Sequence, residues 1–477
     1  MMFGTGILQG ANILSYIVLA RLLSQADFGT YRQLFLINQL LWAISFSAFP
    51  ASLLFFAGRA LGDAEKAAIV RQHLYIVSGL GFLVFLTLLV SGPLIGLMLN
   101  NPEIVQLMPI FAVFPAAYML SSLLGPSLIA KGATHLLPRL TGGLALINSI
   151  PVLLVAWMGG ALQQIVGATA LASIASAAVC LGIILYKTST AHRLKSVNLR
   201  PILGYSFPLL ATAALGLLGL RLDQIAVSHF FGPAVFAIYA VGAFELPIYS
   251  LVKSSSASVL LPELSQAVRE QNWSRVLSIW QDMQWKNAAM IMPVSAGLFV
   301  YSHEFVEVLF GHEYSEAAPI FAVFTLLGPV RATTFNLVLR AMGRTRTELA
   351  GTSLFVMLAA ALIYMFAPLY GIVAAALAVI GALCAYCILL LLLTVSASDN
   401  ALRVLQLLPP WLPLTYGILL ILFAGLRFGT VQFDVVPVVA LGLCISATIA
   451  ISFLLLRQEQ SLFALMGIRH SSKEISL

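Results

Sequence analysis

The feature that most constrains this sequence is the length of its uncharged, apolar stretches. Residues 349–398 carry no charged side chain, and other stretches reach the roughly 20 residues that a helix needs to cross a hydrocarbon core of about 30 Å. Over the whole chain 60% of residues are hydrophobic and 9% are charged, against about 25% charged in an average soluble domain. Backbone in lipid must be satisfied within helices or closed barrels, and barrel strands would alternate apolar and polar residues. The sequence therefore predicts an all-α polytopic membrane protein.

Measuring the chain against that length predicts fourteen transmembrane helices. Turn residues separate several of them, such as Asn100-Asn101-Pro102 and Gly159-Gly160. The approximate limits are 4–23, 33–57, 73–99, 107–130, 138–158, 162–186, 202–228, 234–260, 287–310, 318–340, 348–368, 371–395, 411–428 and 435–456. Because the amino terminus has no basic region and no small-residue cleavage site, the first apolar segment is expected to be an uncleaved span.

Basic residues are distributed unevenly over the predicted loops. Alternate loops, including 59–71, 187–200 and 269–286, hold most of the 25 lysines and arginines. The opposite side carries Glu103 and a cluster of acids from Glu304 to Glu316. Since cytoplasmic loops are enriched in Lys and Arg, both termini are predicted to be cytoplasmic. The net charge of +7 follows from this topology, and no nucleic-acid partner is expected.

An internal duplication relates the two halves of the chain. Pro109–Phe114 (PIFAVF) recurs unchanged as Pro319–Phe324, and shorter matches on either side keep nearly the same offset. The period covers six predicted helices, so both copies would have the same membrane orientation, as in transporters built from parallel repeats. We expect an N-terminal six-helix bundle at 1–186, a cytoplasmic linker at 187–201 and a C-terminal six-helix bundle at 202–395, with a central cleft between the bundles. Residues 396–477 would add helices thirteen and fourteen and a cytoplasmic tail.

Three short segments resemble polysaccharide-export flippases of the MATE-like multidrug/oligosaccharidyl-lipid/polysaccharide (MOP) exporter superfamily. They are Ala20–Tyr31 (ARLLSQADFGTY), the stretch from Asp223 to Tyr239, which contains FFGPAVFAIY, and Val259–Leu264 (VLLPEL). The resemblance implies a transporter that flips a polyprenyl-diphosphate-linked oligosaccharide, the repeat unit of O-antigen, capsule or exopolysaccharide, from the cytoplasmic to the periplasmic leaflet of the bacterial inner membrane by alternating access. It also implies membrane lipid and polysaccharide polymerase or glycosyltransferase partners, and no cofactor.

Ionisable side chains inside spans are functional candidates, because inserting each one costs about 2.5–3.5 kcal/mol. A diphosphate crossing the low-dielectric midplane needs compensating cations, and arginine binds phosphate through paired N–H groups. The predicted substrate-binding cations are Arg21, Arg32, Arg221, Lys253 and Arg331, and the candidate ion-coupling acids are Asp223 and Glu245. Arg21 and Arg32 border helix ends, where long side chains also snorkel to the interface.

The acidic candidates have a plainer interpretation as well. Glu245 and Lys253 are eight residues apart in one predicted helix with Tyr249 between them, so all three would share nearly one face. That spacing suits a buried ion pair whose only role is structural, to hold helices together. Alternatively Glu245 or Asp223 couples transport to protons or sodium, because a carboxylate in low dielectric can bind and release a proton. Asp223 lies two residues from Arg221, on a different helix face, so direct neutralisation of one by the other is not expected.

Other activities fit the sequence less well. Cys384 and Cys387 form a C-x-x-C pair inside an apolar run without further ligands, so no metal site is expected. The chain has no P-loop and no large hydrophilic loop on the extracytoplasmic side, which disfavours a lipid-dependent glycosyltransferase or polymerase; no enzyme is expected. A MATE-type cation or drug exporter and a lipid II flippase remain open alternatives, although the excess of intramembrane Arg and Lys disfavours an exporter of cations.

Overall fold

The computed structural model describes residues 2–189, 199–398, 402–403, 407, 411–433 and 435–457. Every regular element in these residues is a helix, which confirms the predicted all-α class. Most of the expected linker at 187–201 and the cytoplasmic tail after residue 457 lie outside the described residues.

The chain divides into two compact units, residues 1–240 (unit 1) and residues 241–477 (unit 2). The helices that begin in unit 1 are α1 (Met2–Leu22), α2 (Gln25–Ser45), α3 (Phe49–Gly58), α4 (Asp63–Met98), α5 (Glu103–Phe111), α6 (Val113–Ser122), α7 (Leu124–Ala130), α8 (Leu137–Trp157), α9 (Leu162–Lys187) and α10 (Leu199–Gly242). Those of unit 2 are α11 (Pro247–Arg269), α12 (Trp273–Val300), α13 (Ser302–Phe310), α14 (Ala318–Thr325), α15 (Gly328–Ala332), α16 (Leu337–Ala341), α17 (Thr345–Ala397), α18 (Trp411–Gln432) and α19 (Pro437–Arg457). The predicted domain limits stay a prediction.

Many of these helices could cross a membrane. Among the described residues nine helices are long and apolar enough, or up to eleven if each of two sharply bent pairs counts as one span. This supports a multi-pass membrane protein, but the predicted count of fourteen is not confirmed. Two of the nine are very long, Arg200–Gly242 and Thr345–Ala397, and a glycine interrupts each of them: Gly232 has φ 74° and Gly371 has φ 80°, a left-handed conformation that a side chain would strain.

Proline marks breaks inside two of the predicted spans. The predicted span 234–260 is discontinuous, because α10 ends at Gly242 and α11 begins only at Pro247. Proline suits the first turn of a helix, since the N–H group that it lacks would have no partner there. The predicted span 318–340 likewise breaks into α14, α15 and α16, with Pro329 in the first turn of α15. Glu245 therefore lies in the link before α11, and its predicted place within one helix with Lys253 is wrong.

Each unit has its own packing arrangement. In unit 1, α1 packs against α8, and both α6 and α8 pack against α9. In unit 2, α12 is central and contacts α11, α14, α15, α18 and α19. Large side chains such as Trp285, Trp411 and Phe423 form the buried core where α18 meets α12. This packing fixes α15, the five-residue helix that carries Arg331.

Candidate functional site

Helix α2 carries Arg32, and a cap fixes where this helix begins. Ser24 has an extended backbone (φ −61°, ψ 156°), and its hydroxyl oxygen accepts a hydrogen bond from the backbone N–H of Asp27 at 3.1 Å. That bond satisfies one of the N–H groups left free at a helix N-terminus. The hydroxyl group in turn donates to the Asp27 carboxylate at 2.7 Å. The helix then continues to Ser45, so Arg32 and the residues up to three turns after it belong to one continuous helix.

Helices α2 and α10 come into backbone contact at Gly29. A Cβ atom built on Gly29 would lie 1.8 Å from the carbonyl oxygen of Pro233, so no residue with a side chain fits there. Pro233 follows Gly232, the residue that breaks α10. The glycines thus allow α2 to pack against the break in α10, and Arg221 lies about three helical turns before that break.

A buried amide network holds α2 and α10 at fixed positions. The Gln33 Nε2 group donates to the Ser228 hydroxyl at 2.7 Å and to the Leu99 carbonyl at 3.1 Å. The Asn101 Nδ2 group donates to Gln33 Oε1 at 2.6 Å and to the Thr30 hydroxyl at 2.8 Å. Burying an amide costs free energy unless its hydrogen bonds are satisfied. This network therefore specifies how α2 packs against α10, and it fixes the position of Arg32, the residue before Gln33.

The structure brings Arg32 of α2 and Arg221 of α10 close enough to repel each other electrostatically. Both residues are partly buried, and the Nε atom of each is buried without a hydrogen bond to any described residue. Arg32 Cζ lies 4.5 Å from the centre of the Tyr16 ring, a cation–π contact that offsets part of the cost of desolvation. Within the described part of the chain, neither arginine has a carboxylate within 4.0 Å. The carboxyl group of Asp223 interacts electrostatically with Arg221 but forms no ion pair with it. Two guanidinium groups that lie in each other's field and form no ion pair with a described carboxylate are suited to binding an anion.

Asp223 lies two residues after Arg221 on α10, but its carboxylate is hydrogen-bonded to Tyr239. Its Oδ2 accepts a hydrogen bond from the Tyr239 hydroxyl at 2.7 Å. The residue is 3% exposed, and its Oδ1 is buried without a hydrogen-bond partner among the described residues. One carboxylate oxygen therefore remains available to bind a proton or a cation.

In unit 2, Arg331 already has a counter-charge. Arg331 donates from Nη1 to Glu245 Oε1 at 3.1 Å, and its Cζ lies 4.6 Å from the centre of the Tyr249 ring. The Ser295 hydroxyl donates to the Tyr249 hydroxyl at 3.1 Å, which fixes the ring. Lys253, one turn further along α11, interacts electrostatically with Arg331 and Glu245. This cluster combines two cations with one carboxylate.

The remaining predicted cation, Arg21, is exposed in the last turn of α1, where a positive charge complements the negative end of the helix dipole. The structure thus groups Arg32 with Arg221 and Asp223 in unit 1, and Arg331 with Glu245 and Lys253 in unit 2. The binding and coupling roles of all seven residues stay predictions.

Sequence reasoning missed a cavity of about 450 Å³ in unit 1. Its lining includes side chains of α2, α6 and α10, among them Asn38, Gln39, Trp42, Tyr118, Leu217 and Leu220. None of these residues carries a charge at neutral pH, and the adjacent amides of Asn38 and Gln39 inside an apolar span were the only signal available. Tyr16 was also missed, as was the contact of Tyr249 with Arg331, because such cation–π contacts depend on tertiary packing.

Comparison with known proteins assigns this chain to a family. Residues 18–319, more than half of the sequence, match the family model described as "Polysaccharide biosynthesis protein". The chain belongs to this polysaccharide biosynthesis family. The resemblance to polysaccharide-export flippases seen in the sequence is thereby confirmed. A search among curated proteins gave no match.

Solved structures share the fold of this polysaccharide biosynthesis family member. The lipid II flippase MurJ in an inward closed conformation matches with a TM-score of 0.72 and 15% identity, over 98% of this chain and 99% of that chain. An inward-facing multidrug resistance MATE family transporter of the MOP superfamily matches with a TM-score of 0.66 and 14% identity, over 82% of this chain and 96% of that one. A Vibrio cholerae MATE transporter matches with a TM-score of 0.56 and 17% identity, over 84% and 94% of the two chains. The protein therefore has the same fold as these solved structures.

Proposed function

We propose that this protein flips a polyprenyl-diphosphate-linked oligosaccharide, the repeat unit of O-antigen, capsule or exopolysaccharide, from the cytoplasmic to the periplasmic leaflet by alternating access. The observation that carries the proposal is the pair Arg32 and Arg221, two partly buried guanidinium groups that lack a carboxylate partner among the described residues. The family assignment supports a role in polysaccharide biosynthesis, and the fold supports transport.

The charge of the cargo explains why such a pair is useful. A diphosphate is an anion whose transfer through lipid is prohibitive without compensation, and arginine matches phosphate oxygens through several N–H donors while staying charged. An anion bound between Arg32 and Arg221 would also relieve their mutual repulsion. The same pair repels organic cations, which favours a lipid diphosphate over the cargo of a MATE-type exporter.

The other predicted cations are assigned weaker roles in binding the diphosphate. Arg331 shares its charge with Glu245 through a hydrogen bond, and Lys253 lies in the electrostatic field of both. Arg21 is exposed to its surroundings. We therefore assign the principal contact with the diphosphate to the arginines of unit 1 and supporting contacts to these three residues.

Ion coupling is assigned to Asp223 rather than to Glu245. Asp223 is buried and one of its carboxylate oxygens has no partner among the described residues, whereas Glu245 is already bound to Arg331 and its side chain is 54% exposed. A proton or sodium ion at Asp223 would then link the cycle to an ion gradient. Asp223→Asn is expected to abolish the acceleration of flipping by an imposed proton or sodium gradient, measured in reconstituted liposomes.

The proposed location is the bacterial inner membrane with both termini in the cytoplasm, because the basic loops, such as 59–71 and 269–286, alternate with acidic ones. Glycosyltransferases that build the repeat unit and a polymerase that consumes it would be functional partners. Labelling of single cysteines placed at residues 64 and 272 in intact and permeabilised cells tests the orientation; labelling in intact cells contradicts it.

Purified protein in liposomes tests the transport proposal. Translocation of a fluorescent polyprenyl-diphosphate sugar is measured for the wild type and for Arg32→Gln/Arg221→Gln. We expect the double variant to be slower by about a hundredfold or more, because hydrogen bonds to charged groups contribute about 1.5–3 kcal/mol each. Arg59→Gln, which changes an exposed arginine of the same unit, is the matched control and is expected to retain activity.

The same liposomes distinguish the alternatives. Efflux of an organic cation without any movement of the lipid would contradict the proposal and favour a MATE-type exporter. If lipid II moves and no other polyprenyl-diphosphate sugar does, the protein is a lipid II flippase. Lipid II carries the same diphosphate and differs in its glycan.

A further inference from the structure

The cavity in unit 1 contains polar groups whose hydrogen-bonding capacity is unused within the protein. Asn38 lines the cavity and is 6% exposed, and its amide makes no hydrogen bond to a described residue. The Nε1 group of Trp42, another lining residue, is also buried without a partner among the described residues. Buried polar groups are normally hydrogen-bonded, so an amide without a protein partner at the wall of this cavity points to a polar ligand.

The rest of the lining is aromatic and apolar. Trp42 and Tyr118 supply ring surfaces, and Leu217 and Leu220 supply aliphatic ones. The Tyr118 ring stacks on Phe114 with centroids 5.9 Å apart, which restricts its orientation. Ring faces together with a few fixed amide and N–H groups are the lining expected for a ligand that has both an apolar face and polar edges. A sugar ring, with C–H groups on its face and hydroxyl groups at its rim, has this character.

The cavity also has a suitable size and position. Its volume of about 450 Å³ lies within the range of about 300–1,000 Å³ found for ligand pockets. Asn38 and Gln39 follow Arg32 by six and seven residues on the unbroken helix α2, which is about 9–11 Å along the helix axis. On α10 the lining residue Leu220 directly precedes Arg221. A sugar attached to a diphosphate held by the arginines would therefore reach the cavity.

We propose that this cavity binds the sugar next to the diphosphate, and that Asn38, Trp42 and Tyr118 determine which lipid-linked glycan is accepted. The inference rests on the proposed function and names the part of the cargo that unit 1 selects. A polyprenyl tail would be a poorer occupant, because it would leave the Asn38 amide without hydrogen bonds in a low-dielectric environment.

Direct binding measurements test the inference with two kinds of probe. Purified protein in nanodiscs is titrated with bare polyprenyl diphosphate and with the same lipid carrying a hexose, an N-acetylhexosamine or a deoxyhexose. We expect at least one glycosylated lipid to bind more tightly than the bare lipid. Asn38→Leu is expected to reduce that preference by about three- to tenfold, the effect of losing one or two neutral hydrogen bonds, and to leave affinity for the bare lipid unchanged. Trp42→Phe is expected to produce a smaller loss of the same kind.

Matched substitutions elsewhere in unit 1 control for changes in stability. Asn148→Leu removes an amide that bonds only within its own helix, to the Leu144 carbonyl at 2.9 Å, and Trp157→Phe changes a residue that is 76% exposed. Both are expected to keep the wild-type preference for the glycosylated lipid. The wild-type comparison of bare and glycosylated lipids requires no variant, so the test stands even where a cavity variant fails to fold.

The outcomes separate this inference from the proposed function. Equal affinity for the bare lipid and all three glycosylated lipids would overturn the sugar site, while binding of the bare diphosphate would still support the arginine pair. Equal weakening of bare and glycosylated lipid by Asn38→Leu would overturn the inference in favour of a site for the polyprenyl tail. Failure of every lipid diphosphate to bind the wild type would overturn both.

Discussion

Arginine has different surroundings in the two units of this protein. In unit 1, Arg32 and Arg221 repel each other, Arg32 lies over the ring of Tyr16, and neither forms an ion pair with a described carboxylate. In unit 2, Arg331 has both an aromatic ring and the carboxylate of Glu245. An arginine that already forms an ion pair binds an external anion with a smaller gain in free energy, because it must give up or share its carboxylate partner. On the proposed function, the difference between the two units suggests a criterion for a phosphate-binding arginine: its position within an apolar span matters less than whether it already forms an ion pair.

The largest expected effect comes from giving unit 1 the charge pattern of unit 2. Arg32→Glu would place a carboxylate beside Arg221, which would then form an ion pair. We expect flipping of a polyprenyl-diphosphate sugar in liposomes to fall by more than about a hundredfold, since a charge-assisted contact is lost and a repulsive one is added. The Arg32→Lys variant keeps the charge but loses the paired N–H geometry of arginine. We expect its rate of flipping to be about tenfold lower than that of the wild type. If the Arg32→Glu variant folds and still flips the lipid at the wild-type rate, the arginine pair does not bind the cargo.

The next prediction concerns the contact that holds the arginine pair in place. Gly29→Ala would put a Cβ atom 1.8 Å from the Pro233 carbonyl oxygen, and overpacking of this kind costs about 1–3 kcal/mol. We expect a clearly lower melting temperature in detergent. Gly143→Ala, at a helical glycine with no atom within 4 Å of the added Cβ, is the matched control and should be neutral or slightly stabilising. Equal melting temperatures for the two variants would contradict the close contact between α2 and α10.

A smaller effect is expected when unit 2 is made more like unit 1. Glu245→Gln would free Arg331 from its carboxylate partner. The side chain of Glu245 is 54% exposed, and exposed ion pairs contribute about 0.2–1 kcal/mol, so we expect affinity for bare polyprenyl diphosphate to rise by only about two- to fivefold. Glu348→Gln breaks a different ion pair of unit 2, with Arg340 at 2.7 Å, and should leave the affinity unchanged. A large loss of affinity in Glu245→Gln would instead show that the carboxylate itself contributes to binding.

The smallest effect is expected at Arg21. Because this residue is exposed in the last turn of α1, its replacement by glutamine should slow flipping by no more than about twofold, the scale of a screened surface charge. A loss as large as that of the double variant Arg32→Gln/Arg221→Gln would place Arg21 among the principal phosphate contacts and would revise the comparison between paired and unpaired arginines.

Much of the fold could be predicted from the sequence because its signals are local. Apolar length and scarcity of charge predict membrane helices, and the charged residues within them are visible without any structure. The helix breaks were harder to predict, because a proline inside an apolar run either kinks a helix or begins a new one. Pro247 begins α11 and leaves Glu245 in a link, so the predicted shared face with Lys253 does not exist.

The duplicated hexapeptide shows how context decides such details. Pro109–Phe114 crosses the junction between α5 and α6, whereas the identical Pro319–Phe324 lies within the single helix α14. The candidate site depends even more on tertiary contacts. The placement of Tyr16 against Arg32, and of Asn38 and Trp42 at the wall of a cavity, follows from how α1, α6 and α10 pack around α2, which no local pattern encodes.

The binding of a bare polyprenyl diphosphate tests the central claim most directly. Its dissociation constant is measured for the wild type and for Arg32→Gln/Arg221→Gln, beside that of the uncharged polyprenol of the same length. The arginine pair predicts that the wild type binds the diphosphate at least about a hundredfold more tightly than the polyprenol, and that the double variant loses most of this difference. Equal preference for the diphosphate in the wild type and the double variant would contradict the claim.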